Sequence, residues 1–437
     1  MAISRRDVLS SFLFGAGCIG LRALATGLPV NLLLNPRKAL ADAPMCGSQS
    51  KAQHIILSTS AGGDPIGTNA PGTYIDGISH PMDLAMAPVS LSIQNQSYLA
   101  ARPWSTLSPD VLGRTCFWHL MTNTPVHPKE PDVLKLMGAI QPAEMLPSLL
   151  AKQLAPCLGT IQSQPVTLGA TSPSEGLSFD GAALPIIPPL ALQATLLNPA
   201  GPLTALQPLR DQTLNSLYDL YRNGASPAQR NYIDSLVTST CQLRGIKQEL
   251  LSALSSIADN SIDSQITAAV TLIRMNVTPV VAIHIPFGGD NHSDPGLANE
   301  TAETISGIAA IGQLMSQLES VGLKDQVTFA TLNVFGRTMG LSNTNGRGHN
   351  GNHQLSITIS SAIKGGVIGA VAPVESDYGA TNIDSNSGAG MPSGDIAAID
   401  TLASFGKTLL ASVGVDPAVI QRSIPSGQII RPALVAP

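Results

Sequence analysis

Three glycine-rich turns hold most of the side chains in this chain that are able to do chemistry. The first is Gly62-Gly63-Asp64, followed by Thr68 and Asn69. The second is Phe287-Gly288-Gly289-Asp290-Asn291-His292. The third begins at Phe335-Gly336-Arg337-Thr338 and continues into Gly346-Arg347-Gly348-His349-Asn350-Gly351-Asn352-His353. A carboxylate is anionic and a neutral imidazole offers a nitrogen lone pair, so Asp and His suit divalent metals such as zinc. Asp64, Asp290, His292, His349 and His353 are therefore candidate metal ligands, and Gly288 and Gly289 would let the second turn curl toward one ion. The guanidinium fork of Arg337 matches the oxygens of a phosphate or sulfate. Each residue also has a structural explanation. Gly-Gly-Asp is ordinary turn chemistry, His349 and His353 sit in a Gly/Asn-rich stretch that solvent could own, and Arg337 could tie a loop down.

Every one of these turns follows an apolar run. His54-Ile55-Ile56-Leu57-Ser58-Thr59 reads as a strand that delivers Asp64, and Val277–Ile285 and Val327–Leu332 read as strands buried on both faces. Lys364–Val371 reads as a further strand. Between them, Ser264–Met275 and Asn299–Val321 have helical spacing, the latter closed by Gly322, and Ile396–Val413 gives another helix near the end. Strand, helix, strand with short joints is the parallel α/β rhythm, and ligands in such sheets sit beyond the carboxyl ends of the strands. Upstream, Asp132–Leu136, Ala143–Leu154, Leu209–Tyr221 and Ser226–Ile257 also read as helices, whereas Pro65–Asp110 reads as long loops. The Pro-rich stretch from Gly159 to Pro208 reads as an excursion from one domain, since Leu, Ile and Ala stud it. Cys116-Phe117-Trp118-His119, with Thr122, Thr124 and His127 behind it, reads as a buried aromatic anchor; the alternative is that His119 or a nearby hydroxyl lines the pocket.

The N-terminus has the three parts of an export signal: Arg5-Arg6, a mildly apolar stretch from Ser11 to about Leu34, and Ala39-Leu40-Ala41 before Asp42. These residues read as a twin-arginine leader over residues 1–41, with an uncleaved N-terminal anchor as the alternative, and the leader predicts a mature chain working in the periplasm or outside the cell. Glycines and Arg22 dilute the stretch below what a membrane-spanning helix needs, and the mature chain has no other apolar run of that length. The net charge of -5 and 12% charged residues exclude nucleic acid, whose phosphates demand a basic face. Cys46, Cys116, Cys157 and Cys241 remain after the leader, an even number that predicts one or two disulfides without fixing their pairing.

The leader, the strand into Gly62-Gly63-Asp64 with Asn69-Ala70-Pro71 after it, Gly288–His292, and Phe335-Gly336-Arg337-Thr338 with its His/Gly-rich loop together resemble the domain-of-unknown-function 1501 family. Lys364-Gly365-Gly366 and the last helix before Gly414-Val415-Asp416 fit the same pattern. That family is grouped with the alkaline-phosphatase-like superfamily of phosphatases, sulfatases and phosphomutases. The resemblance implies a three-layer α/β/α sandwich with a mostly parallel sheet and a site for one or two divalent metals (zinc, calcium or magnesium). It carries Asp64, Asp290, His292 and His349 over as ligands and Arg337 as the arginine of the Phe-Gly-Arg-Thr motif. Arg337 and Thr68 are then the candidate catalytic residues, with Thr122 and Thr124 as other available hydroxyls. Two acidic positions of the family pattern are missing, because Asn333-Val334 replaces Ser-Glu and Gly348 replaces Asp. The expected function is hydrolysis of a small anionic phosphate or sulfate ester. The alternative is a non-catalytic binding or assembly protein with a partner in the envelope.

Overall fold

The computed structural model describes residues 52–435, apart from 142, 161, 171–174, 198–206, 227–229 and 231–251. The expected leader, Cys46, Cys241 and most of the expected helix at 226–257 lie outside the described residues.

Seven strands form the central sheet: His54–Ser60 (β1), Thr115–Leu120 (β2), Val166–Thr167 (β3), Val280–Ile283 (β4), Val327–Asn333 (β5), Gln354–Ile359 (β6) and Gly366–Ile368 (β7). Their order is β7-β2-β6-β5-β1-β4-β3. β1 lies parallel between β4 and β5, while β3 joins β4 and β7 joins β2, again in parallel. Only β6 runs against its neighbours β2 and β5. The chain is thus a mixed α/β protein with a large, mostly parallel sheet.

Alternate residues of each strand feed opposite faces, as the period of two requires. Ile56, Phe117, Val281, Phe329 and Ile357 belong to one apolar core, with residues of the helices Ile262–Arg274 (α2) and Ala298–Ser320 (α3). Ile55, Leu57, Trp118, Ala282 and Ala330 belong to the other, with the helices Leu146–Leu158 (α1) and Thr401–Ser412 (α4). Helices therefore cover both faces of the sheet, and β1, β2, β5 and β6 are buried throughout.

The structure corrects several expectations. Cys116-Phe117-Trp118-His119 is buried as expected, but as the middle of a strand, β2, that the sequence did not mark; Trp118 donates its indole hydrogen bond to Thr358 on β6. Pro65–Asp110 is not all loop, because Pro88–Ile93 and Gln96–Ala101 pair as an antiparallel hairpin. Lys364–Val371 splits into β7 and a separate hairpin strand starting at Val371. The Pro-rich excursion supplies β3 to the sheet edge and Leu192 to the core. Cys157 is disulfide-bonded, and Cys116 is a buried free thiol.

α3 ends where the sequence places its stop. Gly322 takes φ +74°, and its amide closes onto Glu319. A side chain there would sit in the left-handed region at a cost of roughly 1–2 kcal/mol. Gly322→Ala is therefore expected to lower the urea midpoint without changing its slope; an unchanged midpoint would contradict this reading of the cap.

Candidate metal centre

The parallel strands all point their carboxyl ends to one edge of the sheet. Asp64 follows β1, His127 follows β2, Asp290 and His292 follow β4, and Arg337 and His349 follow β5. At that edge one ligand atom each from His127, Asp290 and His349 gather within 4.8 Å of one another. His127 Nε2 lies 3.5 Å from Asp290 Oδ2, and His349 Nε2 lies 3.9 Å from Asp290 Oδ1. Two ligands on one tetrahedral zinc stand roughly 3.4 Å apart, given bonds of about 2.0–2.2 Å.

Backbone carbonyls set the tautomers of both imidazoles. A carbonyl only accepts, so His127 Nδ1–H donates to Ala61 O at 2.7 Å and His349 Nδ1–H donates to Pro125 O at 2.5 Å. In the neutral rings this leaves the lone pairs on Nε2, the atoms that face Asp290. Partial burial, with Arg337 and the neighbouring imidazoles, holds His349 below the ordinary histidine range. His349 stacks on Phe335 at 4.3 Å between ring centroids, and His127 meets it edge-on at 4.6 Å. His292 is the most open member, its side chain 53% exposed. Its Nε2 is 3.4 Å from Asp290 Oδ1 and 2.7 Å from His349 Nε2. The donor set (two or three imidazoles and a carboxylate) fits zinc, and the exposed Asp290 and His292 leave the centre open to solvent.

Arg337 is fully enclosed rather than turned out to a substrate. Its Nε donates to Gly63 O at 2.5 Å, and its Nη2 donates to Gly62 O and, at 2.9 Å, to Asp290 Oδ1. Nη1 is buried without a hydrogen-bond partner among the described residues. This guanidinium fastens the Gly62-Gly63 turn to a ligand-type carboxylate. Partial burial pulls Asp290 upward, but the charge and hydrogen bond of Arg337, with His127 and His292, hold it below the usual carboxylate range. Gly63 takes φ +66°, and a Cβ there would lie 2.1 Å from the Phe335 ring, so only glycine lets this turn close over the site.

The other sequence candidates have different surroundings. Asp64 is buried behind the turn and is not among the residues gathered at the centre. Thr68 Oγ1 donates to Pro65 O and, at 3.0 Å, to Glu300 Oε1, which makes it part of a buried network. His353 lies in the core against His119, whose Nδ1 is 2.9 Å from His353 Nε2. Burial drives both imidazoles down, His119 to about 4 against the pull of its Pro71 hydrogen bond, so this pair is neutral and structural. Thr122 Oγ1 is directed to Thr124 O at 3.5 Å. The residue that sequence reasoning undervalued is His127. Nothing in its spacing ties it to Asp290; the available signal is its place beyond the carboxyl end of β2, visible only once Thr115–Leu120 is known to be a strand.

No model of a known protein family matches the chain, and no curated protein matches it. A solved structure described as the crystal structure of Ps i-CgsB is similar at 11% identity and a TM-score of 0.34, over 86% of this chain and 78% of that one. So distant a likeness carries no argument about the site. Among the described residues no helix is long and apolar enough to cross a membrane.

Proposed function

We propose that this chain is an exported, metal-dependent hydrolase of phosphate or sulfate esters, built on an alkaline-phosphatase-like version of the α/β frame. The observation that carries the reading is the pair of carbonyl-fixed imidazoles, His127 and His349, presenting Nε2 to Asp290 at the carboxyl edge of the sheet. These three residues would hold one zinc-class ion, which when bound supplies Lewis-acid polarisation of an ester oxygen. His127 and His349 give neutral donors on rigid carbonyl anchors, so little reorganises on binding. Asp290 gives the anionic donor, and Arg337 holds it in place from beneath while keeping it ionised. His292, at the open side, is the group placed to meet substrate or to hand over a proton. Export rests on the Arg5-Arg6 leader.

A second reading, a metal-loaded binding protein without turnover, has its own support. Arg337 spends its donors on Gly62, Gly63 and Asp290, Thr68 is held by Glu300, and His292 closes toward His349. If His292 is a fourth ligand, the ion has no free position.

Metal analysis of mature protein, dialysed after zinc loading, tests both. The expected content is about one zinc per chain, falling at least roughly tenfold in affinity in His349→Ala. Aryl phosphate or aryl sulfate turnover that disappears with the zinc identifies the hydrolase. Full zinc occupancy without turnover, in wild type and in His292→Ala, identifies the binding protein. Protein that retains no zinc ends both readings.

A further inference from the structure

One side of α4 is polar although the helix is buried along nearly its whole length: Ser404, Lys407 and Thr408, spaced to share a face, all lie inside. They fasten the segment Gly427–Arg431. Ser404 Oγ accepts from Gln428 N at 3.0 Å, Thr408 Oγ1 accepts from Ile430 N at 3.0 Å, and Lys407 Nζ donates to Gly427 O at 2.9 Å. A second Lys407 bond, at 2.8 Å, reaches Gln421 Oε1 on the short helix Pro417–Ser423. Between that helix, the fastened segment and the Ser385-Asn386 turn lies a cavity of about 280 Å³, lined by both Lys407 and Arg431. None of its lining residues belongs to the metal centre. We propose that this cavity binds a small organic anion, a carboxylate or phosphate on a short carbon skeleton, received by Lys407 and Arg431.

An ammonium has three protons to donate, and buried charges are ordinarily paired. Lys407 is 2% exposed, yet both its partners are neutral oxygens, and no carboxylate lies within ion-pair distance of it among the described residues. Asp400 attracts it from longer range only, and burial holds Lys407 below the ordinary lysine range. One ammonium proton and the positive charge are thus left without a close partner. Arg431 adds a second cation, whose guanidinium makes no hydrogen bond or ion pair among the described residues. No acidic residue lines the cavity. The acids bonded to its lining are themselves engaged: Asp395 accepts from Ser385 N, Ser385 Oγ and Gln428 Nε2, and Asp384 accepts from Asn386 N and Ser387 N.

The remaining walls set the class of ligand. A guanidinium fork and a compact ammonium together suit the oxygens of a carboxylate or phosphate. Pro417, Ile420 and Ile429 give the cavity an apolar side, which a carbon skeleton covers and a bare inorganic ion does not. The volume falls just under the roughly 300–1,000 Å³ of pockets for drug-sized molecules, so the ligand is small. The site does not depend on the His127–Asp290–His349 centre being a catalyst or holding zinc.

The trial is isothermal titration of the mature protein with succinate, glycerol phosphate and inorganic phosphate in turn. One saturable site for succinate or glycerol phosphate is expected, with inorganic phosphate weaker because it leaves the apolar side uncovered. Arg431 is exposed, so Arg431→Gln should fold as wild type does and lower the affinity about tenfold or more, as one charged partner is lost. Crystals soaked in the tighter-binding organic anion should show it between Lys407 and Arg431, a readout that needs no variant to fold. Binding should persist in chelator and in His349→Ala, which separates failure here from failure of the hydrolase reading. No saturable binding of either organic anion at millimolar concentration, undiminished binding in Arg431→Gln, inorganic phosphate binding as tightly as both organic anions, or binding abolished by chelator overturns the proposal.

Discussion

Glu300→Ala is expected to lower the unfolding free energy of the mature protein by about 3–5 kcal/mol, the cost of leaving a buried cation uncompensated. Glu300 stands in the first turn of α3, where the Asp294 carboxylate accepts its backbone N–H and that of Asn299. Its own carboxylate accepts from Thr68 Oγ1, Asn69 Nδ2 and Asn291 Nδ2, and from Arg347 through Nε at 2.6 Å and Nη2 at 3.1 Å. Arg347 completes its hydrogen bonds on Ser79 and the Thr338 carbonyl. Both side chains of the pair are fully enclosed. Removing the carboxylate strands the guanidinium and three further donors in a place water does not reach. The pair need not add much stability relative to an apolar substitute, so Glu300→Leu with Arg347→Met should lose much less than the sum of the single changes. Urea unfolding of the four proteins gives the comparison; additive losses would contradict a coupled network. The same hub holds Asn291 beside Asp290, and Arg347 two residues from His349. Zinc affinity should therefore fall in Glu300→Ala although no ligand has changed.

The sheet was legible where the sequence carried its strongest physical signal. Ile55-Ile56-Leu57 and Val280-Val281-Ala282-Ile283 are continuous apolar runs because helices cover both their faces, and they read as buried strands without other help. Thr115–Leu120 and Gln354–Ile359 are equally buried but carry Thr, His, Gln and Ser inward, with bonds across the sheet such as Trp118 to Thr358. Local composition does not reveal partners so far apart in the chain. The site divides along the same line. Asp290, His292 and His349 were readable as ligand types in glycine-rich turns after strands. His127 was not, because the strand that delivers it was not. Arg337 shows the reverse error: the residue type suggested an anion clamp, and only the fold reveals that the nearest anion is Asp290 and the nearest acceptors are Gly62 and Gly63.

Burial of Asp64 and Glu130 gives the second large effect, a fall in stability with rising pH. Burial pushes Asp64 up from the ordinary aspartate range to about 6, with His284, a hydrogen bond from Ser60 and Arg337 pulling down and Glu303 pushing up. Glu130 is raised as well, by burial and by the charges of Glu175 and Asp64. For a carboxyl raised on folding, the folded chain binds more protons than the unfolded chain between the two pKa values. Stability contributed by Asp64 is then complete below the unfolded value near 4 and is lost as pH rises through about 6. A shift of this size corresponds to about 3 kcal/mol for Asp64, and Glu130 extends the loss to higher pH. Partly exposed Asp290, whose pKa is lowered, works in the opposite direction, so the informative quantity is the difference between proteins. In chelator, wild type should lose roughly 3 kcal/mol more than Asp64→Asn between pH 4 and 7 by urea unfolding. Parallel pH curves for the two proteins in chelator would show that Asp64 ionises as freely in the folded chain as in the unfolded one. The burial that sets it apart would then have no energetic consequence.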